Sequence, residues 1–236
     1  MTRWDYPLPS SPYGGYRVAT PVRRKITTSA REVTHISIAA LVLTGDIALI
    51  EIRTTTITSL GTGLWASLAV ALSFGATAAL TGFLFHELAH KIAAQRRGYW
   101  SEFRMSPTGL LLSVVTSLFG FLFAAPGATI VQDMYDPRAW GRTALAGPAV
   151  NLVEGSVFLA AGLGLAESNL LPGVLPFLYL LAFFNGWFAT FNLFPVGPLD
   201  GRKVLHWSLP TWAGMIGISG ALALVGILLF YGFVTV

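Results

Sequence analysis

The chain has 236 residues, 54% of them hydrophobic and only 11% charged, with a mean hydropathy of +0.65. Soluble globular domains carry about 25% charged residues, so this composition excludes an ordinary water-soluble domain and points to an integral membrane protein. Basic residues flanking apolar runs account for the net charge of +4 and set orientation, so no nucleic-acid partner is expected. Cysteine is absent, which removes disulfides and thiolate metal ligands.

Residues 1–32 are polar, rich in Pro, Gly, Tyr and Arg, and lack an apolar core of the kind a cleavable signal has. They read as a polar cytoplasmic tail, with WDYPLPSSPYGGY as a flexible segment or surface strap. A single transmembrane domain is expected over 33–236. The first apolar run, His35 to Ile50, is short for a span and contains Asp46. For Asp46 a structural hydrogen bond or a basic partner is the leading expectation, with a gate or substrate contact as the lesser one. The second run, Leu64 to about Arg97, is longer than a bilayer needs and emerges at Gln95, Arg96 and Arg97. YWSEFRM (99–105) alternates large apolar and polar residues, as an edge strand does; an interfacial loop anchored by Tyr99, Trp100 and Arg104 is the competing reading. A third run covers Leu110 to Ile130, and VQDMYDPRAWGR (131–142) reads as a polar loop. Further runs cover Ala144 to Ala166, Leu175 to Phe194 and Trp212 to Val234.

Six apolar runs invite six crossings, but charge placement argues otherwise. With a cytoplasmic amino terminus and six crossings, ten of the fifteen basic residues are cytoplasmic and five are not. If 107–130 instead dips in and returns on the same side, fourteen are cytoplasmic and only Arg53 is outside. The positive-inside rule favours this arrangement, and Gly109, Gly120, Pro126 and Gly127 suit a turn at depth. The expected fold class is thus an all-α polytopic membrane protein of five to six transmembrane helices, with a re-entrant segment at 107–130.

HELAH (86–90) matches H-E-x-x-H. On a helix, His86 and His90 lie on one face and can grip one zinc ion, with Glu87 in reach of the attacking water as general base. In soluble helices the motif is commonly a solvated face. Here it lies in a span, where each ionisable group costs about 2.5–3.5 kcal/mol, and metal coordination compensates that cost. A third ligand must come from elsewhere: His35 and Asp46 lie in the first run and His206 in a polar loop. The best candidate is Asp200, in FNLFPVGPLDGRK (191–203), where two prolines and two glycines interrupt the helix. Irregular backbone at that depth belongs where it faces a cavity; a plain turn is the alternative.

HELAH inside a span, AGPAVN (146–151) opening another, and NLFPVGPLDG (192–201) together resemble the site-2 protease family of intramembrane zinc metalloproteases. The likeness covers roughly residues 64–205. It implies a three-helix zinc core with His86, His90 and Asp200 as ligands of one catalytic zinc and Glu87 as general base. Asn192 is then expected to contact substrate or oxyanion, and Asn151 to shape the site, or else simply to bond between helices. The ligand-bearing segments must end on one side of the membrane, which the re-entrant arrangement also requires. At 1.5 Å per residue the zinc then sits about 15 Å below the boundary at Arg97.

The implied activity is hydrolysis of peptide bonds within or near transmembrane segments of membrane-protein substrates, with the active site toward the cytoplasmic side of a cell membrane. The resemblance also suggests that the strand at 99–105 pairs with an unwound substrate. One alternative is a non-catalytic zinc protein that escorts transmembrane clients, against which the intact Glu87 speaks. Another is a transporter, against which the lack of repeats and the one-sided ligands speak.

Overall fold

Helices dominate the computed structural model, which describes residues 25–53, 63–123, 125–168 and 171–234. The stretch WDYPLPSSPYGGY lies outside the described residues. Helix α1 (Ala30–Arg53) begins before the first apolar run because Ser29 caps it, its Oγ accepting the Glu32 N–H at 3.1 Å. The described body therefore reaches back into the stretch assigned to the polar tail: Thr27 exchanges hydrogen bonds with the Gln95 side chain at 2.8 and 3.0 Å.

Helix α2 (Leu64–Ala78), a π-helical turn (Ala79–Phe85) and α3 (His86–Arg96) form one continuous rod of 33 residues. The π turn breaks the α-helical bonding register immediately before the HELAH motif, a location where such turns recur at functional sites.

Residues 99–131 differ from a pure helical hairpin. Strand β1 (Ser101–Met105) pairs antiparallel with β2 (Gly127–Val131), from Ser101↔Val131 to Met105↔Gly127. Helix α4 (Pro107–Leu118) lies between them, capped by Ser106, with Pro107 opening its first turn. Its twelve residues extend about 18 Å, short of the roughly 30 Å of a hydrocarbon core. Because Met105 and Gly127 face each other in one ladder, the segment between them leaves and returns at the same place. Asp46, in the interior of α1, accepts a hydrogen bond from Ser117 Oγ at 3.1 Å and so ties α1 to the far turn of α4.

Helix α5 (Pro137–Glu167) begins well before the expected Ala144, because Asp136 accepts the Arg138 and Ala139 N–H groups and Pro137 opens the first turn. After a short 3₁₀ turn (Pro172–Val174) come α6 (Leu175–Asn192), α7 (Asp200–Trp207) and α8 (Leu209–Phe230). Five helical segments are long and apolar enough to cross a membrane: α1, the 64–96 rod, α5, 172–192 and α8. The protein is an integral, multi-pass helical membrane protein with five candidate spans among the described residues. The two-stranded sheet is its departure from an all-α fold. Ile47, Phe74, Ala78, Leu180, Leu181 and Phe184 pack α1, the rod and α6 into one core.

Candidate metal centre

His86 and His90 open α3 one turn apart, and Asp200 is the first residue of α7. Their side chains converge. The two Nε2 atoms are 3.0 Å apart, and Asp200 Oδ2 lies 2.9 Å from His90 Nε2 and 3.5 Å from His86 Nε2. All three residues are buried, and they form the one group of this kind among the described residues. Ligands about 2.0–2.1 Å from a tetrahedral zinc are about 3.3 Å from one another, and the three separations straddle that value.

The hydrogen bonds behind the rings strengthen the fit. His90 Nδ1 is 2.8 Å from the Thr143 carbonyl, which can only accept, so Nδ1 carries the proton. His86 Nδ1 is 2.5 Å from Asn151 Oδ1. The Asn151 amide cannot be flipped, because its Nδ2 donates to the carbonyls of Thr81 and Gly82 and to Asn185 Oδ1 at 3.2, 3.0 and 3.2 Å. In the neutral rings both Nε2 lone pairs therefore face each other and a carboxylate, an arrangement of acceptors that a cation resolves. Gly147, on α5, lies against the same two atoms: a Cβ there would stand 2.6 Å from His86 Nε2. The A-G-P-A-V-N stretch thus supplies a gap for the rings at Gly147 and a brace at Asn151.

Asp200 reaches the pair through a sharp return after α6. Gly197 adopts φ +57°, and a Cβ on Gly201 would collide with the Leu193 backbone, so α7 folds tightly over the end of α6. The Leu193 carbonyl accepts from Trp212 Nε1 at 2.7 Å. Asp200 was expected on irregular backbone; it begins a helix whose first turn aims its carboxylate inward. Lys203 Nζ holds its other oxygen at 3.0 Å.

Glu87 and Asn192 line the same cavity as the three donors. Glu87 Oε2 accepts the Thr129 N–H at 2.9 Å and the Thr129 hydroxyl at 2.8 Å. Asn192 Nδ2 donates to the Phe188 carbonyl at 2.9 Å, leaving its second amide hydrogen for another acceptor. Asn151 is fully buried behind His86 and does not line the cavity. Among the other candidates, His35 Nδ1 meets the Met105 N–H at 3.4 Å, Asp46 bonds Ser117, and His206 lies on α7 in a separate surface pocket with Arg202 and Lys203. None of these three joins the cluster.

The sheet presents a different edge from the one expected. The outer N–H groups of β1 are taken by Glu32, at Phe103, and by His35, at Met105. It is β2 that faces the cavity, through Gly127, Ala128, Thr129 and Val131. Thr129 and Asn185 were not singled out from the sequence. An asparagine in the middle of YLLAFFNGWFATFN was a usable signal, because a polar residue in a span requires a partner; nothing in GATIV marked Thr129.

Over 155 residues, 65% of this chain and 77% of the relative, the sequence is 39% identical to a protein of Methanocaldococcus jannaschii named "Putative zinc metalloprotease MJ0611". It is 34% identical over 132 residues to Mycobacterium tuberculosis "Putative zinc metalloprotease Rip3", a match covering 56% of this chain but 30% of Rip3. No family model and no solved structure matches the chain. The identity to these relatives, the three motifs and a buried His-His-Asp group that fits one zinc ion lead to one assignment: the chain belongs to the site-2 protease family of zinc metalloproteases.

Proposed function

We propose that the protein is an intramembrane endopeptidase that cleaves peptide bonds within or near the transmembrane segments of membrane-protein substrates. The observation that carries this reading is the position of the donor cluster. His86, Glu87 and His90 lie inside a 33-residue apolar rod, and their cavity is walled by a segment whose two ends pair in one sheet, as a re-entrant element requires.

When bound, zinc polarises a carbonyl and makes water a nucleophile at neutral pH. His86, His90 and Asp200 hold it, with Asn151 and the Thr143 carbonyl fixing the ring nitrogens that face it. Glu87 takes the proton of the attacking water and returns it to the leaving amine. The free amide hydrogen of Asn192 meets the negative charge that develops on the carbonyl oxygen. A helical peptide bond is shielded by its own hydrogen bonding, so substrate enters extended, and the cavity-facing edge of β2 on either side of Thr129, whose own N–H is held by Glu87, is the natural partner for such a strand. Lys91, Arg96, Arg97, Arg104, Arg138, Arg142, Arg202 and Lys203 belong to the elements that gather at the metal end, whereas Arg53 ends α1 at the other. That asymmetry supports an active site toward the cytoplasm of a cell membrane.

The test is cleavage of a single-span substrate by purified protein in detergent or liposomes. Wild type is expected to cut, to stop on chelation and to recover with zinc, while Glu87→Gln binds zinc and releases no fragment. Chelator-sensitive cleavage at the full rate by Glu87→Gln would overturn the mechanism. Zinc binding by wild type without cleavage of any transmembrane substrate would favour an escort role instead.

A further inference from the structure

Two carboxylates bracket the sheet at a single rung. Phe103 on β1 faces Thr129 on β2. The Phe103 N–H points away from the ladder and donates to Glu32 Oε1 at 3.0 Å. The Thr129 N–H points away on the opposite side and donates to Glu87 Oε2 at 2.9 Å, joined there by the Thr129 hydroxyl at 2.8 Å. Outward N–H groups on both partners identify the pair as one without ladder bonds, which frees both for the carboxylates.

The far side of the bracket is anchored. Glu32 Oε2 is paired with Lys91 Nζ, and both residues are only 2% exposed. Lys91 also donates to Thr28 Oγ1 at 2.7 Å. Lys91 follows Glu87 by one helical turn, so the contacts close a circuit. They leave α3 at Lys91, cross α1 and both strands, and return to α3 at Glu87.

A glutamate on a cavity wall has three rotatable bonds, and an unheld carboxylate spends most of its time away from the position a general base needs. Here one oxygen is held by two donors from a single residue, which orients the carboxylate plane and leaves Oε1 to take the proton. A buried ion pair is a poor source of net stability, so Glu32–Lys91 is better accounted for by what it fixes.

We propose that Thr129 is a positioning residue for Glu87, and that the Glu32–Lys91 pair fixes Thr129 from the opposite edge of the sheet. The inference rests on the reading of Glu87 as general base.

Thr129→Val keeps the β-branched shape and the N–H but removes the hydroxyl donor. Its kcat is expected to fall roughly tenfold, the size of one hydrogen bond to a charged group, with KM and zinc per protein unchanged. Thr129→Ser is expected to restore most of the rate. Glu32→Gln breaks the ion pair and is expected to lower kcat, again with zinc retained. Combining it with Thr129→Val should cost no more than the larger single effect, because both act through one path. If Glu32→Gln does not fold, Thr28→Val, which removes only the second partner of Lys91, replaces it in the cycle. A wild-type kcat for Thr129→Val overturns the proposal, as does a fall in kcat matched by a loss of zinc. Multiplicative effects in the double variant remove the far-edge pair from it. Full activity of Glu87→Gln sinks the underlying functional reading instead, so the two failures are distinguishable.

Discussion

His86 Nδ1 lies 2.5 Å from Asn151 Oδ1, and this one contact decides which nitrogen of the ring is free. Asn151 can accept from His86 only because its amide group is committed to the Thr81 and Gly82 carbonyls of the π turn. The ring tautomer and the distorted helix before it thus share one side chain.

Asn151→Leu, close in size but without hydrogen-bonding groups, is expected to lower zinc affinity about 10–100-fold, the usual effect of losing a group behind a metal-binding histidine. It also leaves His86 Nδ1 buried and unpartnered. Competition with a chelator of known affinity measures the loss. If zinc affinity is unchanged while cleavage is lost, Asn151 acts on substrate rather than on His86.

Gly147 makes a second, steric prediction. A methyl group there would press on both imidazole Nε2 atoms, and the neighbouring backbone of a packed helix has little room to yield. Gly147→Ala is expected to displace the rings, with loss of zinc and of activity together. Gly164, on the same helix, has open space where its Cβ would be. Gly164→Ala should therefore leave both unchanged and stabilise α5 by up to about 1 kcal/mol, from helix propensity alone. Zinc content and thermal unfolding of the two variants side by side make the comparison.

The contrast between HELAH and Thr129 shows what is legible in such a chain. Charged residues in an apolar span are conspicuous because lipid penalises them, so His86, Glu87, His90 and Asp200 stand out without any structure, and the imbalance of basic residues points to a re-entrant segment. Thr129 and Glu32 carry no such mark. Each acts on a residue 42 or 59 positions away, and pairings of that range come from tertiary packing, not local pattern. The sheet was half legible: alternation in YWSEFRM suggests a strand, whereas GATIV is hidden at the end of an apolar run. Helix α7 was hidden by its own turn signals, since Pro198 and Gly201 read as loop until Gly201 is seen packed against the Leu193 backbone.

Asp46 is expected to be structural. One carboxylate oxygen meets Ser117 and the other is buried with no hydrogen-bond partner. Asp46→Asn keeps the acceptor for Ser117 and removes a buried charge, so it should cleave at the wild-type rate and unfold at the same or a higher temperature. Asp46→Leu removes the acceptor and is expected to cost about 1 kcal/mol by loosening α4 from α1. Loss of cleavage in Asp46→Asn with its melting temperature intact would instead give the residue a part in the chemistry.

The topology can be tested because the chain has no cysteine, so every introduced thiol reports alone. Thr108 lies in the first turn of the re-entrant excursion and Tyr135 just beyond its end, both exposed, and Ser168 is exposed at the far end of α5. Since Met105 and Gly127 share one rung of the ladder, Thr108→Cys and Tyr135→Cys must report the same side of the membrane. Helix α5 then crosses, so Ser168→Cys must report the other. A membrane-impermeant maleimide applied to sealed vesicles of one orientation, then to the opposite orientation, should label the first two together and the third alternately. Phe119, 76% exposed at the turn of the excursion, would face lipid; Phe119→Cys should resist the reagent from both sides until detergent is added. Labelling of Thr108→Cys and Tyr135→Cys from opposite sides would mean that 107–130 crosses. Asp200 would then lie across the bilayer from His86 and His90, and the metal centre could not form.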